Sequence, residues 1–178
     1  MVKIRFGTDG WRAIIAKEFT VDNVARVAVA TSLWVKQNFD SPAIVLGYDC
    51  RFGGEMFAEV VAKVCVAHGV KVKMSRGFVS TPMVSYGTKH FNASMGVVLT
   101  ASHNPPDYNG YKLKSHHGGP LIEEHVKEVE AIIPTEHKVD LDSMSFDEMV
   151  KAGSIEIIDL ESMYVSAIES KVLTLLVP

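Results

Sequence analysis

Ala43-Ile44-Val45-Leu46-Gly47, then Glu55 to His68, Gly69, and Val70 to Met74, is the stretch that decides the fold. The first run is apolar throughout, which is the pattern of a strand buried on both faces. The second places Met56, Val60, Val61 and Val64 on the inward face of a helix, with Gly69 positioned to close it. The third is a further short strand. Strand, helix and strand in succession is the repeating step of an α/β domain.

The alternation continues outward on both sides. Toward the N-terminus, Val2 to Phe6 reads as a strand, a glycine-rich turn follows, and Trp11 to Ile15 forms a second extended piece. Thr20 is an N-cap for a helix carrying Val21, Val24, Ala28, Thr31 and Trp34 or Val35 on one face. Toward the C-terminus, Thr81-Pro82 reads as an N-cap with proline at the first helical position, opening a helix to about Phe91. Ser94 to Leu99 is a buried strand, and Tyr111 to Lys114 a short one after a loop. Pro120 starts a helix with Ile122, Val126, Val129 and Ile133 inside. The expected fold is a three-layer α/β/α sandwich with a mixed, mostly parallel sheet. Periodicity does not order its strands. In such sheets ligands gather at the carboxyl ends of strands, where Gly47 to Gly54, Gly77 to Pro82 and Thr100 to Gly110 fall.

Residues 1–133 read as one such domain. Pro134 to Met144 turns polar and irregular, so 134–153 is expected to be a linker. Ser154 to Ile158 and a helix over Asp159 to Val172, capped by Asp159, then read as the start of a second α/β/α domain over 154–178. The apolar ending Leu175-Leu176-Val177-Pro178 is expected to run on into it.

Composition narrows the function classes. Across 178 residues, 47% are hydrophobic and 22% charged, the balance of a globular protein and not of a disordered tail. A net charge of -3 argues against a nucleic-acid binder. No stretch approaches the roughly 20 apolar residues that span a bilayer, and the first residues, Met1 to Phe6, lack the apolar core of a signal peptide. Cys50 and Cys65 form no C-x-x-C pair, and Cys65 falls on a helix's apolar stripe, so a reducing, cytoplasmic location fits.

The chemistry concentrates in Thr100-Ala101-Ser102-His103-Asn104-Pro105-Pro106-Asp107-Tyr108-Asn109-Gly110-Tyr111-Lys112. It follows a buried strand, so its polar side chains emerge at the sheet edge. Ser102 would be exposed between rigid neighbours. His103 could shuttle a proton, and Asn104 with backbone N–H groups could hold an oxyanion or phosphate. Asn109-Gly110 marks a tight turn that would bring Lys112 back toward the serine. A plain polar turn explains the prolines and glycine but not Ser-His-Asn. A serine hydrolase lacks support: there is no G-x-S-x-G elbow, and adjacent Ser102 and His103 seldom meet as nucleophile and base.

Two further loops matter. Phe6-Gly7-Thr8-Asp9-Gly10-Trp11-Arg12 offers close ligand approach and a guanidinium for phosphate, but no dinucleotide or P-loop pattern occurs. Gly47-Tyr48-Asp49-Cys50-Arg51 suggests a salt bridge bracing its loop more than a direct ligand contact. His116, His117 and His125 have no metal-ligand spacing, and Asp140, Asp142 and Asp147 read as solvated charges.

Taken together these motifs resemble the α-D-phosphohexomutase family, the phosphoglucomutases and phosphomannomutases. Phe6 to Arg12 matches its opening loop, Thr100 to Pro105 its phosphoserine signature, Asn109 to Lys112 the segment after it, and Asp159 to Ile168 with Tyr164 the start of its second domain. The resemblance implies that Ser102 carries a phosphoryl group and gives an oxygen to Mg²⁺. It implies that Arg12, His103 and Lys112 line the phosphoserine, His103 or Lys112 as acid or base, and that Asn104 positions the loop. The implied reaction interconverts hexose 1-phosphate and hexose 6-phosphate through a bisphosphorylated sugar, with hexose 1,6-bisphosphate as activator. Pro105 to Lys112 leans toward glucose and mannose mutases over the glucosamine branch. Family members wrap four domains around one cleft. The D-G-D-G-D-R metal run is absent here, so the chain alone is expected to be inactive and to bind Mg²⁺ weakly. The alternative is a non-catalytic phosphate-ligand or interaction module on the same fold.

Overall fold

The computed structural model describes residues 2–7 and 10–176, so Thr8 and Asp9 of the opening loop and Val177-Pro178 of the apolar ending lie outside the described residues. The chain runs β1 (Trp11–Ile14), α1 (Val21–Asn38), β2 (Ala43–Tyr48), α2 (Gly54–Ala67), β3 (Lys71–Ser75), α3 (Thr81–His90), β4 (Met95–Leu99), β5 (Tyr108–Ser115), α4 (Glu123–Ala131), α5 (Phe146–Lys151), β6 (Ile155–Ile158) and α6 (Leu160–Leu176).

The strands form a sheet in the order β1-β5-β4-β2-β3-β6. The pairings β4–β2, β2–β3 and β3–β6 are parallel, while β5 runs antiparallel to both its neighbours. The predicted mixed, mostly parallel sheet is thus present. Alternate residues of each central strand enter opposite cores. Ile44, Leu46, Val97 and Leu99 join the large core under α1 and α2, and Val45 and Val98 the smaller one with Val84 and Leu160. That two-sided burial is why the strands read as unbroken apolar runs. Helices α1, α2, α4 and α5 pack together on one face, and α3 and α6 on the other.

Local chemistry sets the helix ends. Thr20 Oγ1 accepts from the Asn23 N–H at 3.3 Å, the N-cap expected for α1, worth about 1 kcal/mol. Gly69, at φ 76°, follows α2 in the left-handed conformation that ends it. The Asp159 carboxylate accepts from the Ser162 N–H at 3.0 Å and caps α6, as predicted. That backbone bond holds its pKa below the usual aspartate value.

Several expectations need correction. Val2 to Phe6 is not a strand. The backbone N–H of Phe6 donates to Glu130 Oε2 at 2.7 Å and Arg26 Nη1 donates to the Val2 carbonyl, so side chains satisfy this segment while Ile4 anchors it in the core. Ser80, not Thr81, is the residue before α3. Helix α4 begins after Ile122, which is 56% exposed and not inside, and Met56 is 48% exposed. The expected linker contains α5, and Val139, Leu141, Phe146 and Met149 pack on the large core. The strand expected to open a second domain is the edge of this same sheet, paired in parallel with β3, and Leu160 closes the smaller core. Polar composition over 134–144 conceals this because the apolar anchors are spaced singly along an irregular backbone.

Cys65 is buried, and Ser32 Oγ donates to its Sγ at 3.4 Å. Burial pushes its pKa from 9.0 to about 12. Alkylation of the native protein at pH 8 is therefore expected to modify exposed Cys50 and spare Cys65, as read by peptide mass. The unfolded thiol ionises first, so the associated stability is whole below pH 9 and declines as pH rises toward about 12. Equal labelling of both cysteines in the folded protein would contradict this.

Candidate active site

The parallel strands β2, β3 and β4 end on one edge of the sheet, and the loops after them carry the expected polar residues. Ser102 stands at the tip of the loop after β4 with φ 56°, a left-handed conformation for a residue with a Cβ. Such a backbone costs about 1–2 kcal/mol and persists only where neighbours enforce it. Thr100 and Ala101 below it are buried, while Ser102 and His103 are exposed.

The enforcing contacts are specific. The Ser102 N–H donates to Thr100 Oγ1 at 3.0 Å. The Asn104 N–H donates to the Ala101 carbonyl at 3.1 Å, closing the turn. Arg51 reaches across from the loop after β2. Its Nη1 donates to the carbonyls of Pro105 at 2.7 Å and Tyr108 at 2.9 Å, and its Nη2 to those of Ser102 at 2.8 Å and Asn104 at 2.6 Å. Asp49 accepts the Thr100 hydroxyl hydrogen and lies 3.5 Å from Arg51 Nε. The predicted Asp49–Arg51 pair is present, but it braces the serine loop as well as its own. Sequence reading missed Thr100 and that reach, and the polar threonine closing an apolar strand was the available signal.

Arg12 and Asn104, named separately from the sequence, come together, with Arg12 Nη1 donating to Asn104 Oδ1 at 2.8 Å. Trp11 and Ala13 enter the large core, so Arg12 between them points to the opposite face of β1. Ser102 Oγ lies 3.5 Å from His103 Nδ1, at the outer limit of a hydrogen bond. The two adjacent side chains approach but stay outside the roughly 2.6–3.2 Å of a nucleophile and its base.

Asn109-Gly110 is not a turn. Both lie within β5, where Gly110 pairs with Arg12 of β1. Lys112, two residues on, is buried opposite Val98 of β4, its stem against Gly10 of the opening loop. It is brought to that loop by strand register and not by chain reversal. Among the described residues no three of His, Cys, Asp and Glu gather as a metal site, and no helix is long and apolar enough to cross a membrane.

The fold and this edge define an α/β/α domain that displays one strained serine among an arginine, a histidine and an asparagine. Residues 3–140 match the family described as phosphoglucomutase/phosphomannomutase, alpha/beta/alpha domain I, and the chain belongs to that family. It is 33% identical over 168 residues to a phosphoglucomutase/phosphomannomutase of Thermococcus kodakarensis, covering 94% of this chain and 35% of that protein. It is 34% identical over 133 residues to a phosphoglucosamine mutase of Clostridium botulinum, covering 75% of this chain and 29% of that one. The crystal structure of a candidate phosphomannomutase from Thermus thermophilus superposes with a TM-score of 0.84 at 35% identity, over 96% of this chain and 36% of that one. The chain thus spans about a third of the length of these relatives.

Proposed function

We propose that this chain is the serine-bearing domain of a hexose-phosphate mutase, an intramolecular phosphotransferase acting on glucose and/or mannose phosphates. The observation that carries the reading is Ser102 held at φ 56° on the carboxyl edge of the sheet, beside the Arg12–Asn104 pair. Phosphoryl transfer needs in-line placement and neutralised equatorial oxygens more than covalent help from the protein. A serine on a fixed backbone, two residues before the asparagine that meets the Arg12 guanidinium, would serve both needs.

In the proposed cycle the bond from phosphorus to Ser102 Oγ breaks as a bond to one sugar hydroxyl forms. That hydroxyl gives up its proton, with His103 and Lys112 as candidate bases. After the bisphosphorylated sugar turns over, Ser102 Oγ attacks the other phosphoryl group, the bond from that phosphorus to the sugar oxygen breaks, that oxygen takes the proton held by the acid form of the base, and the isomeric monophosphate leaves. Hexose 1,6-bisphosphate serves as the activator that loads the serine. Mg²⁺ is part of this reading, and would supply charge neutralisation during phosphoryl transfer. This chain would contribute the Ser102 oxygen to it, since Asp49 is committed to Thr100 and Arg51. Other metal ligands, and the groups that select the sugar, would come from further domains of the same polypeptide. The preference for glucose or mannose over glucosamine rests on the Pro105 to Lys112 segment.

The test is intact mass with peptide mapping on the full-length protein, before and after incubation with glucose 1,6-bisphosphate and Mg²⁺. One phosphoryl group on the Ser102 peptide is expected. An unmodified peptide under both conditions would remove the central step.

A further inference from the structure

We propose that Asp49, acting through Thr100 and Arg51, is the positioning residue that holds Ser102 in its left-handed conformation; this rests on the reading of Ser102 as the phosphoryl carrier. The two peptide groups flanking the Ser102 Cα are each pinned by one side chain. The N–H is held by Thr100 Oγ1 at 3.0 Å and the carbonyl by Arg51 Nη2 at 2.8 Å. Fixing both peptide planes fixes φ and ψ between them. Both holders meet on the same carboxylate oxygen, since Asp49 Oδ2 accepts from the Thr100 hydroxyl and faces Arg51 Nε. Asp49 Oδ1 accepts the Arg51 N–H at 3.0 Å, and the Asp49 N–H donates to the Leu99 carbonyl at 3.0 Å. The ring Asp49–Thr100–Ser102–Arg51 therefore joins the ends of two adjacent parallel strands, where Tyr48 pairs with Leu99.

The charge and the direction of each donor matter. A hydroxyl has one hydrogen. Thr100 Oγ1 presents a lone pair to the Ser102 N–H because its own hydrogen goes to Asp49. An amide at position 49 keeps the shape but offers one acceptor oxygen in place of two. Either Thr100 or the Arg51 N–H then faces a donor. Arg51 is equally committed. Its two terminal nitrogens carry four N–H groups, and four carbonyls between Ser102 and Tyr108 take them. That leaves none for a phosphate, so the pair aims the serine without touching the sugar phosphate.

The experiment compares Asp49→Asn, Thr100→Val and Thr100→Ser in the full-length protein. It measures phosphoryl uptake on Ser102 from glucose 1,6-bisphosphate with Mg²⁺, KM for glucose 1-phosphate, and amide hydrogen exchange at Ser102 without substrate. Uptake is expected to fall about 100-fold in Asp49→Asn, the scale of an ångström's misplacement. KM should stay within about threefold, as for an interaction that is not ground-state binding. Exchange at Ser102 should quicken about tenfold or more as Thr100 Oγ1, its acceptor, loses the carboxylate that orients it. Thr100→Val should behave alike, and Thr100→Ser should restore most of the rate. Unchanged uptake in folded Asp49→Asn, or a loss seen only as raised KM, would overturn the proposal. If Asp49→Asn does not fold, the threonine pair decides the matter, with equal rates for Ser and Val counting against it. If the unsubstituted protein takes no phosphoryl group, the mutase reading fails on its own, and the exchange at Ser102 still decides the positioning role.

Discussion

Ser102→Ala is expected to abolish mutase turnover in the full-length protein, by at least about 10⁴-fold, the scale on which removing a reacting nucleophile acts. The loss should come without unfolding. The bonds that hold residue 102 run through its backbone N–H and carbonyl, and its Oγ points to solvent beside His103. Alanine meets the same left-handed dihedrals at a similar cost, so the melting temperature should move little. Ser102→Gly sharpens the test. Glycine is at ease at φ 56°, so this variant should gain about 1 kcal/mol of stability while being as inactive as the alanine form. Gain of stability with loss of chemistry is the mark of strain kept for function. Steady-state kinetics with thermal melts read both quantities. Turnover within tenfold of the parent in Ser102→Ala would end the phosphoserine reading and favour a binding module, which has no need of the hydroxyl.

Gly110→Ala is expected to be strongly disruptive for a single added methyl group. A Cβ at Gly110 would stand 2.5 Å from the Thr100 carbonyl oxygen and 2.9 Å from that of Trp11. Both obstacles are backbone, on strand partners to either side, so neither can swing away as a side-chain tip would. Overpacking of this kind costs about 3 kcal/mol, or roughly 10 °C in melting temperature for a chain of this size. The strain is expected to fall on β1 and the start of the serine loop, because the Thr100 N–H donates to the Gly110 carbonyl at 3.0 Å and Arg12 pairs with Gly110. Gly77→Ala is the control. Nothing lies within 4 Å of the added carbon, and its melting temperature should match the parent. A Gly110→Ala protein that melts within about 2 °C of the parent would show that β1 and β4 yield more readily than their hydrogen bonds suggest.

Whatever rests on local pattern could be read from the residues alone. Burial on both faces makes a strand uniformly apolar, so β2 and β4 were legible at once, and helical spacing with capping residues marked α1, α2 and α6. The dense Ser-His-Asn cluster after a buried strand exposed the candidate site for the same reason, since residues next to each other in the chain stay next to each other in space. Relations between distant residues were set only by the folded chain. Strand order, the addition of β6 to the sheet, and the placing of Asn109-Gly110 inside β5 depend on which backbones pair across many residues. The same holds for Arg51, whose four acceptors lie more than fifty positions along the chain. A guanidinium in sequence announces only its charge. Which carbonyls its fixed fork meets, and so whether it binds a ligand or holds a serine in a strained turn, is set by the adjacency of β2 and β4.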